Sequence, residues 1–250
     1  MTTKACCDAG LPAKAVGEPV GKVIDLANPG GKDLPCYVVG EGEKAIIAVY
    51  DIFGFTENKR TRLVCDEMAE AGYSVILPDF YRGEDVLTGC GSFPPEGGIP
   101  AVVDWLNRVA PFEQVLGEIF DVVVKHLESN GAKSIGMVGF CWGGKVVMLS
   151  STRGKVKAGV GLHPSFLTPE DAANVDCPQF FMPAGDDPPI EPVFDALSSK
   201  PFFDKCKKKL FGEMSHGFTL RADMSDPSAA GAKQANEAIG LAIDFFGQHL

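Results

Sequence analysis

Positive charge is in short supply in this chain: 23 Lys and Arg face 33 Asp and Glu over 250 residues, a formal net charge of −10 with histidine neutral. Phosphate backbones and anionic membrane surfaces repel such a chain, so neither nucleic acid nor a membrane is expected as a partner. Long apolar runs are missing too, and no stretch reads as a bilayer span. The opening residues Met1-Thr2-Thr3-Lys4-Ala5-Cys6-Cys7-Asp8 lack the apolar core of a signal peptide. These absences together predict a soluble cytosolic protein. Repeats, low-complexity tracts and domain linkers are absent as well. Histidine is scarce, four residues in all, which narrows any search for a catalytic base. Cysteine is not scarce, but its eight residues are scattered without a disulfide-framework pattern, as in a reducing compartment. Adjacent Cys6 and Cys7 match no ligand spacing and read as incidental.

What is present fits one large α/β domain, with 45% hydrophobic residues to fill its core. Residues 1–35 read as an irregular arm with at most a short strand near Gly21–Leu26, and residues 36–250 as a single domain. Apolar runs predict strands at Cys36–Val39, Ala45–Tyr50, Ser74–Leu77, Ser134–Val138, Val156–Leu162, Gln179–Met182 and Lys207–Phe211. Helical patterns fall at Thr56–Ala71, Ala101–Val109, Phe112–Ser129, Trp142–Thr152, Pro192–Ser199 and Ala229–Gln248. Phe80–Pro100 reads as a long loop, dominated by turn residues. Strands that alternate with helices predict a mostly parallel sheet with helices on both faces.

The most informative stretch is Gly139-Phe140-Cys141-Trp142-Gly143-Gly144, set between an apolar strand and a helix. A strand, a tight turn with glycine two residues either side of a nucleophile, then a helix form a nucleophile elbow, the signature of the α/β-hydrolase fold, with cysteine in the serine position. Glycines 139 and 143 let strand and helix backbones approach around a strained residue. The next N–H, that of Trp142, lies at a helix N-terminus, where it can stabilise an oxyanion; the indole itself reads as packing. The same field favours thiolate. A base follows nucleophile and acid in this chain order, which selects His216 in Ser215-His216-Gly217-Phe218. The acid falls in Gly185-Asp186-Asp187-Pro188, with Asp187 chosen as catalytic and Asp186 as the turn residue.

The chain resembles the dienelactone hydrolase (carboxymethylenebutenolidase) family, and particularly its eukaryotic members. The matching pieces are Asp51-Ile52-Phe53-Gly54, Pro78-Asp79-Phe80-Tyr81-Arg82-Gly83, the cysteine elbow, His163-Pro164-Ser165-Phe166, Gly185-Asp186-Asp187 and His216-Gly217-Phe218. Their order and spacing cover residues 36–250. The resemblance implies a Cys141–His216–Asp187 triad and an oxyanion hole from the N–H groups of Trp142 and Ile52. It also implies hydrolysis of a small enol-lactone or ester through a thioester, with no metal or organic cofactor. Asp51 stands where bacterial members carry a glutamate that contacts the resting thiol; it either does the same here or shapes its loop. Arg82 and Arg221, each one residue off the bacterial spacing, are either clamps for a substrate carboxylate or solvated surface groups. His163 can reach the pocket from the end of its strand, but reads more simply as a hydrogen-bonded structural histidine. A broad carboxylesterase or thioesterase on the same triad is an alternative, as is a catalytically retired fold acting through its thiols. The natural substrate and the oligomeric state are not legible in the sequence.

Overall fold

Strand β5 (Ser134–Phe140) lies in the interior of the sheet, and its composition explains why. Every residue after Ser134 is buried, in the near-continuous apolar run of a strand covered on both faces. It pairs in parallel with β3 (Lys44–Val49) on one side and β6 (Val156–Leu162) on the other. The computed structural model describes the whole chain except residues 1–4, 6, 7, 9, 14, 56 and 57. Within the described residues the sheet has eight strands in the order β1-β2-β4-β3-β5-β6-β7-β8. The others are β1 (Lys22–Leu26), β2 (Leu34–Val39), β4 (Ser74–Pro78), β7 (Gln179–Met182) and β8 (Lys207–Lys208). From β4 to β8 all pairings are parallel; only β1–β2 and β2–β4 are antiparallel.

Helices α1 (Lys59–Glu70), α2 (Val86–Cys90), α3 (Gly98–Val109), α4 (Phe112–Glu118) and α5 (Val124–Ser129) precede β5, with a π-helical segment at Ile119–Val123. After it come α6 (Trp142–Ser150), α7 (Pro169–Ala173), α8 (Glu191–Asp195), α9 (Phe218–Arg221) and α10 (Ala230–His249). Two glycines in β5 show how the layers stack. A Cβ on Gly136 would meet the Phe246 ring of α10 at 2.7 Å. Three residues on, a Cβ on Gly139 would meet the Gly143 carbonyl oxygen of α6 at 2.1 Å. Residues three apart on a strand face opposite ways, so α10 and α6 cover opposite faces of the sheet. Because the parallel strands are joined by crossovers, their C-terminal ends gather at one edge, where Asp51, Cys141, His163 and Asp187 follow β3, β5, β6 and β7.

Several expectations shift. The short strand expected near Gly21–Leu26 is β1, which pairs with β2 along its full length, so the sheet itself starts at Lys22. The loop expected over Phe80–Pro100 contains α2, nucleated by a reciprocal cap between Asp85 and Thr88, and its end already belongs to α3. The helix expected over Phe112–Ser129 is interrupted by the π segment, where the Val124 N–H bonds the Ile119 carbonyl. The strand expected over Lys207–Phe211 reduces to two exposed lysines and an isolated bridge from Phe211 to Ala184, as befits a charged sheet edge. The helix expected at Pro192–Ser199 ends at Asp195. The expected helix start at Thr56 lies outside the described residues, as do Cys6 and Cys7. Among the described residues no helix is long and apolar enough to cross a membrane.

Candidate active site

The elbow is strained where its chemistry requires it. Cys141 has φ 53° and ψ −115°, a region that a side chain adopts only when its surroundings enforce it. Here the enforcement is hydrogen bonding. The Cys141 N–H donates to the Leu162 carbonyl at 3.1 Å, and the Cys141 carbonyl accepts from the N–H groups of Gly144 at 3.0 Å and Ser165 at 2.9 Å. Packing adds to it: a Cβ on Gly143 would come within 2.2 Å of the Val49 carbonyl oxygen, so helix α6 can lie against the end of β3 only with glycine there. The Cys141 sulfur lies 3.5 Å from the Ser165 hydroxyl, and both residues are buried.

The histidine loop is fastened by both aspartates, in different ways. His216 Nδ1 meets Asp187 Oδ1 at 2.5 Å, with both side chains almost wholly out of solvent. The second oxygen of Asp187 accepts the Ala184 N–H at 2.7 Å, which fixes the carboxylate's orientation. Asp186 Oδ1 instead accepts the backbone N–H of His216 at 2.6 Å and so anchors the loop rather than the ring. Gly217, at φ 84°, makes the left-handed step from this loop into α9.

His163 stands behind His216, its ring 5.0 Å away and edge-on, and 6.1 Å from the ring of Phe140, the residue before Cys141. Its Nε2 bonds the Thr219 hydroxyl at 2.7 Å. Complete burial, helped by His216 and Arg221 nearby, pushes its pKa well below the usual histidine range, so the ring stays neutral. Only Nε2 is bonded; the buried Nδ1 has no hydrogen-bond partner among the described residues.

The loop after β3 places Asp51 and Ile52 beside the elbow helix. Asp51 is fully buried; its Oδ1 accepts the Phe53 N–H at 2.9 Å, and its Oδ2 lies 3.4 Å from Arg221 Nε. Both contacts shape the loop that carries the Ile52 N–H. The Trp142 N–H, first in α6, precedes the helix's own hydrogen bonding. The Trp142 indole is buried among aromatic rings, with Tyr81 at 5.2 Å and Phe112 stacked at 6.0 Å, a packing role.

The two arginines part company. Arg221 lies inside: its guanidinium sits 4.7 Å over the Phe53 ring, Nη1 donates to the Gly10 carbonyl at 3.2 Å, and Nε faces Asp51. Arg82 is drawn the other way. It donates to Glu118 at 2.6 Å and to the carbonyls of Asp79 and Lys32, and lines an outer groove with Gly31, Lys32 and Gln114. Tyr81, which also lines that groove, stands between it and Trp142. The contacts of Arg82 are thus with Glu118 and backbone carbonyls, and its side chain is largely buried rather than a solvated surface group.

Ser165 is the site residue that sequence reasoning passed over, although its motif His163-Pro164-Ser165-Phe166 had been singled out. The other described cysteines are placed for inertness: burial raises the thiol pKa of Cys36, Cys65, Cys90 and Cys206, and pushes Cys177 up to about 12. No disulfide joins the described cysteines. Among the described residues no group of three or more His, Cys, Asp or Glu side chains is placed to hold a metal ion.

Comparison with known proteins agrees with this geometry. Residues 36–250 match the dienelactone hydrolase family. A carboxymethylenebutenolidase homolog of Rattus norvegicus is 32% identical over 216 residues, 83% of each chain. An uncharacterized AIM2 family protein of Schizosaccharomyces pombe is 31% identical over 97% of this chain and 98% of its own. Among solved structures, a dienelactone hydrolase from Anabaena variabilis superposes with a TM-score of 0.62 at 19% identity, over 94% of this chain and all of the other. A soluble variant of a Saccharomyces cerevisiae monoglyceride lipase does so with 0.64 at 13% identity, over 96% and 98%. The structural likenesses establish the α/β-hydrolase fold, and the sequence matches establish more: this chain belongs to the dienelactone hydrolase family and is a carboxylic ester hydrolase.

Proposed function

We propose that Cys141 is the nucleophile of a small-molecule lactone or ester hydrolase, with His216 as base and Asp187 as the acid that orients it. His216 takes the thiol proton as sulfur attacks the carbonyl carbon. The resulting oxyanion is held by the N–H groups of Trp142 and Ile52. Collapse breaks the bond to the alkoxy or enol oxygen, which receives the proton from His216, and leaves a thioester on Cys141. Water then attacks the thioester, His216 takes its proton and returns it to sulfur, and the free acid departs. Sulfur suits this task when the leaving oxygen is a good one, as in an enol ester; it suits an amide poorly, since thiolate would leave first.

The observation that carries the reading is the Asp187–His216 bond, buried at the same sheet edge as the strained Cys141. Asp187 holds Nδ1, which leaves Nε2 as the atom that works on the thiol. The substrate in this reading is a small molecule, and the net charge of −10 speaks against nucleic acid or an anionic membrane surface as a partner. The test is to mix the protein with a p-nitrophenyl ester and follow its intact mass. An added acyl group in wild type that is absent in Cys141→Ala supports the thioester; acylation elsewhere, or equal turnover by Cys141→Ala, would remove it.

A further inference from the structure

Burial works against a cysteine nucleophile, because a thiolate loses its hydration there and the neutral thiol is favoured. Cys141 is fully buried, so a donor close to its sulfur matters. Cys36 and Cys90 direct their thiols at the carbonyl oxygens of Leu34 at 3.4 Å and Ala101 at 3.7 Å. A carbonyl can only accept, so those contacts hold the thiols protonated. The Cys141 sulfur instead lies 3.5 Å from the Ser165 hydroxyl, a group that both donates and accepts.

The backbone is strained where it presents that hydroxyl. His163 at φ 38° and Phe166 at φ 65°, on either side of Ser165, lie in the left-handed region that favours glycine. Strain of this kind persists only where the surroundings enforce it, and it gathers at functional sites. The His163 N–H donates to the Met182 carbonyl and the Ser165 N–H to the Cys141 carbonyl, each at 2.9 Å. Pro164 packs on the elbow helix, where a Cβ on Gly144 would come within 2.6 Å of the Pro164 Cβ. Further along, Asp171 accepts the Thr168 N–H at 2.7 Å and Lys145 of the elbow helix at 2.6 Å. These contacts fasten the segment to the elbow, and none of them uses the Ser165 hydroxyl.

We propose that Ser165 is a catalytic residue: its hydroxyl donates to the Cys141 thiolate and holds it ionised for attack. This role rests on Cys141 being the nucleophile, as read above. In the resting thiol either atom can be the donor. Once His216 Nε2 has taken the proton, sulfur has none to give and can only accept, so the Ser165 O–H turns to it and keeps its own proton throughout. A hydrogen bond to an ionised acceptor is about twice as strong as one between neutral groups, so it favours the thiolate over the thiol. The same donor serves again when the thioester collapses and thiolate leaves, before His216 returns the proton to sulfur.

Ser165→Ala keeps the backbone N–H that binds the Cys141 carbonyl and removes the hydroxyl alone. Iodoacetamide labelling of Cys141, followed from about pH 5 to about pH 10 by the mass of its peptide, reads the thiolate and needs no turnover. In Ser165→Ala the midpoint of that profile should rise by about one pH unit, about a tenfold loss in rate below it, with the high-pH plateau within about threefold of wild type. The acid limb of kcat/KM for p-nitrophenyl acetate should rise with it. Ser165→Thr, which keeps the hydroxyl, should hold the wild-type midpoint even where its added methyl lowers the rate. A midpoint unmoved in Ser165→Ala, a loss of equal size at every pH, or an equal shift in Ser165→Thr overturns the role of Ser165. Cys141-dependent turnover would then still keep the hydrolase reading. Turnover that survives Cys141→Ala removes the nucleophile and this role with it.

Discussion

Two carboxylate–base pairs invite comparison, one fully buried at the sheet edge that carries Cys141 and one partly exposed in the outer groove. Asp187 and His216 form one, at the C-terminal edge of the sheet behind Cys141. Arg82 and Glu118 form the other, in the outer groove beyond Tyr81. Each has a carboxylate with further hydrogen bonds: Asp187 takes the Ala184 N–H, and Glu118 takes the side chains of Asn28 and Gln114. Both are close contacts between a carboxylate and a nitrogen base, so such a pair alone does not mark a catalytic site. What separates them is the partner beyond: a strained thiol in one case, a tyrosine ring and backbone carbonyls in the other.

The sharpest break of that comparison is removal of the proposed nucleophile. Cys141→Ala should lower ester turnover by at least about a thousandfold, with circular dichroism and Tm near wild type, because alanine fits the elbow. Next comes the carboxylate. Asp187→Asn should cost about a hundredfold or more in kcat, while Asp186→Asn, whose carbonyl oxygen still accepts the His216 N–H, should cost only a few-fold. A reversed ranking would move the orienting role to Asp186.

The outer pair predicts the opposite profile. Arg82→Ala leaves Glu118 with only neutral partners in a half-buried setting, an expected loss of about 1–2 kcal/mol. In a chain of this size that lowers Tm by about 2–8 °C. Turnover per folded molecule should stay within about twofold of wild type, since Arg82 touches nothing at the sulfur. A hundredfold loss in kcat with an unchanged Tm would make the outer pair part of the chemistry after all.

The smallest effect is pH-linked and belongs to His163. Its folded pKa is depressed by burial, so the unfolded chain binds a proton that the native state refuses. Its contribution is fully present above the unfolded histidine value of about 6.5 and is lost as pH falls below it, at up to about 1.4 kcal/mol per unit. Denaturant midpoints at pH 7 and pH 5.5 should therefore differ more in wild type than in His163→Gln. Equal slopes would mean that the native protein admits the proton.

The architecture was largely legible because its signals are local. Period and composition mark β5, the glycines around Cys141 mark the turn, and the chain order of strand ends selects His216 and the Gly185–Asp187 segment. Legibility failed where a local cue was masked by its neighbours, and where two distant segments decide. Helix α2 within the expected loop depends on a cap between Asp85 and Thr88 that short turn residues disguise. Strand β8 shrinks because lysines at a sheet edge gain nothing from burial. Ser165 was in view within its motif, yet its contact with the Cys141 sulfur spans 24 residues.

The sequence by itself determined the elbow and the cysteine at its apex, since glycine sterics and a strand-to-helix turn are properties of six consecutive residues. The contacts with Leu162 and Ser165 that hold the strained backbone are tertiary. Tertiary structure alone decided what the charges do. Arg82 meets Glu118 across 36 residues, Arg221 meets Asp51 across 170, and His216 meets Asp187 across 29. A guanidinium has the same formula whether it clamps a substrate or is neutralised by its own chain. Only the position of the nearest carboxylate in space tells the two apart.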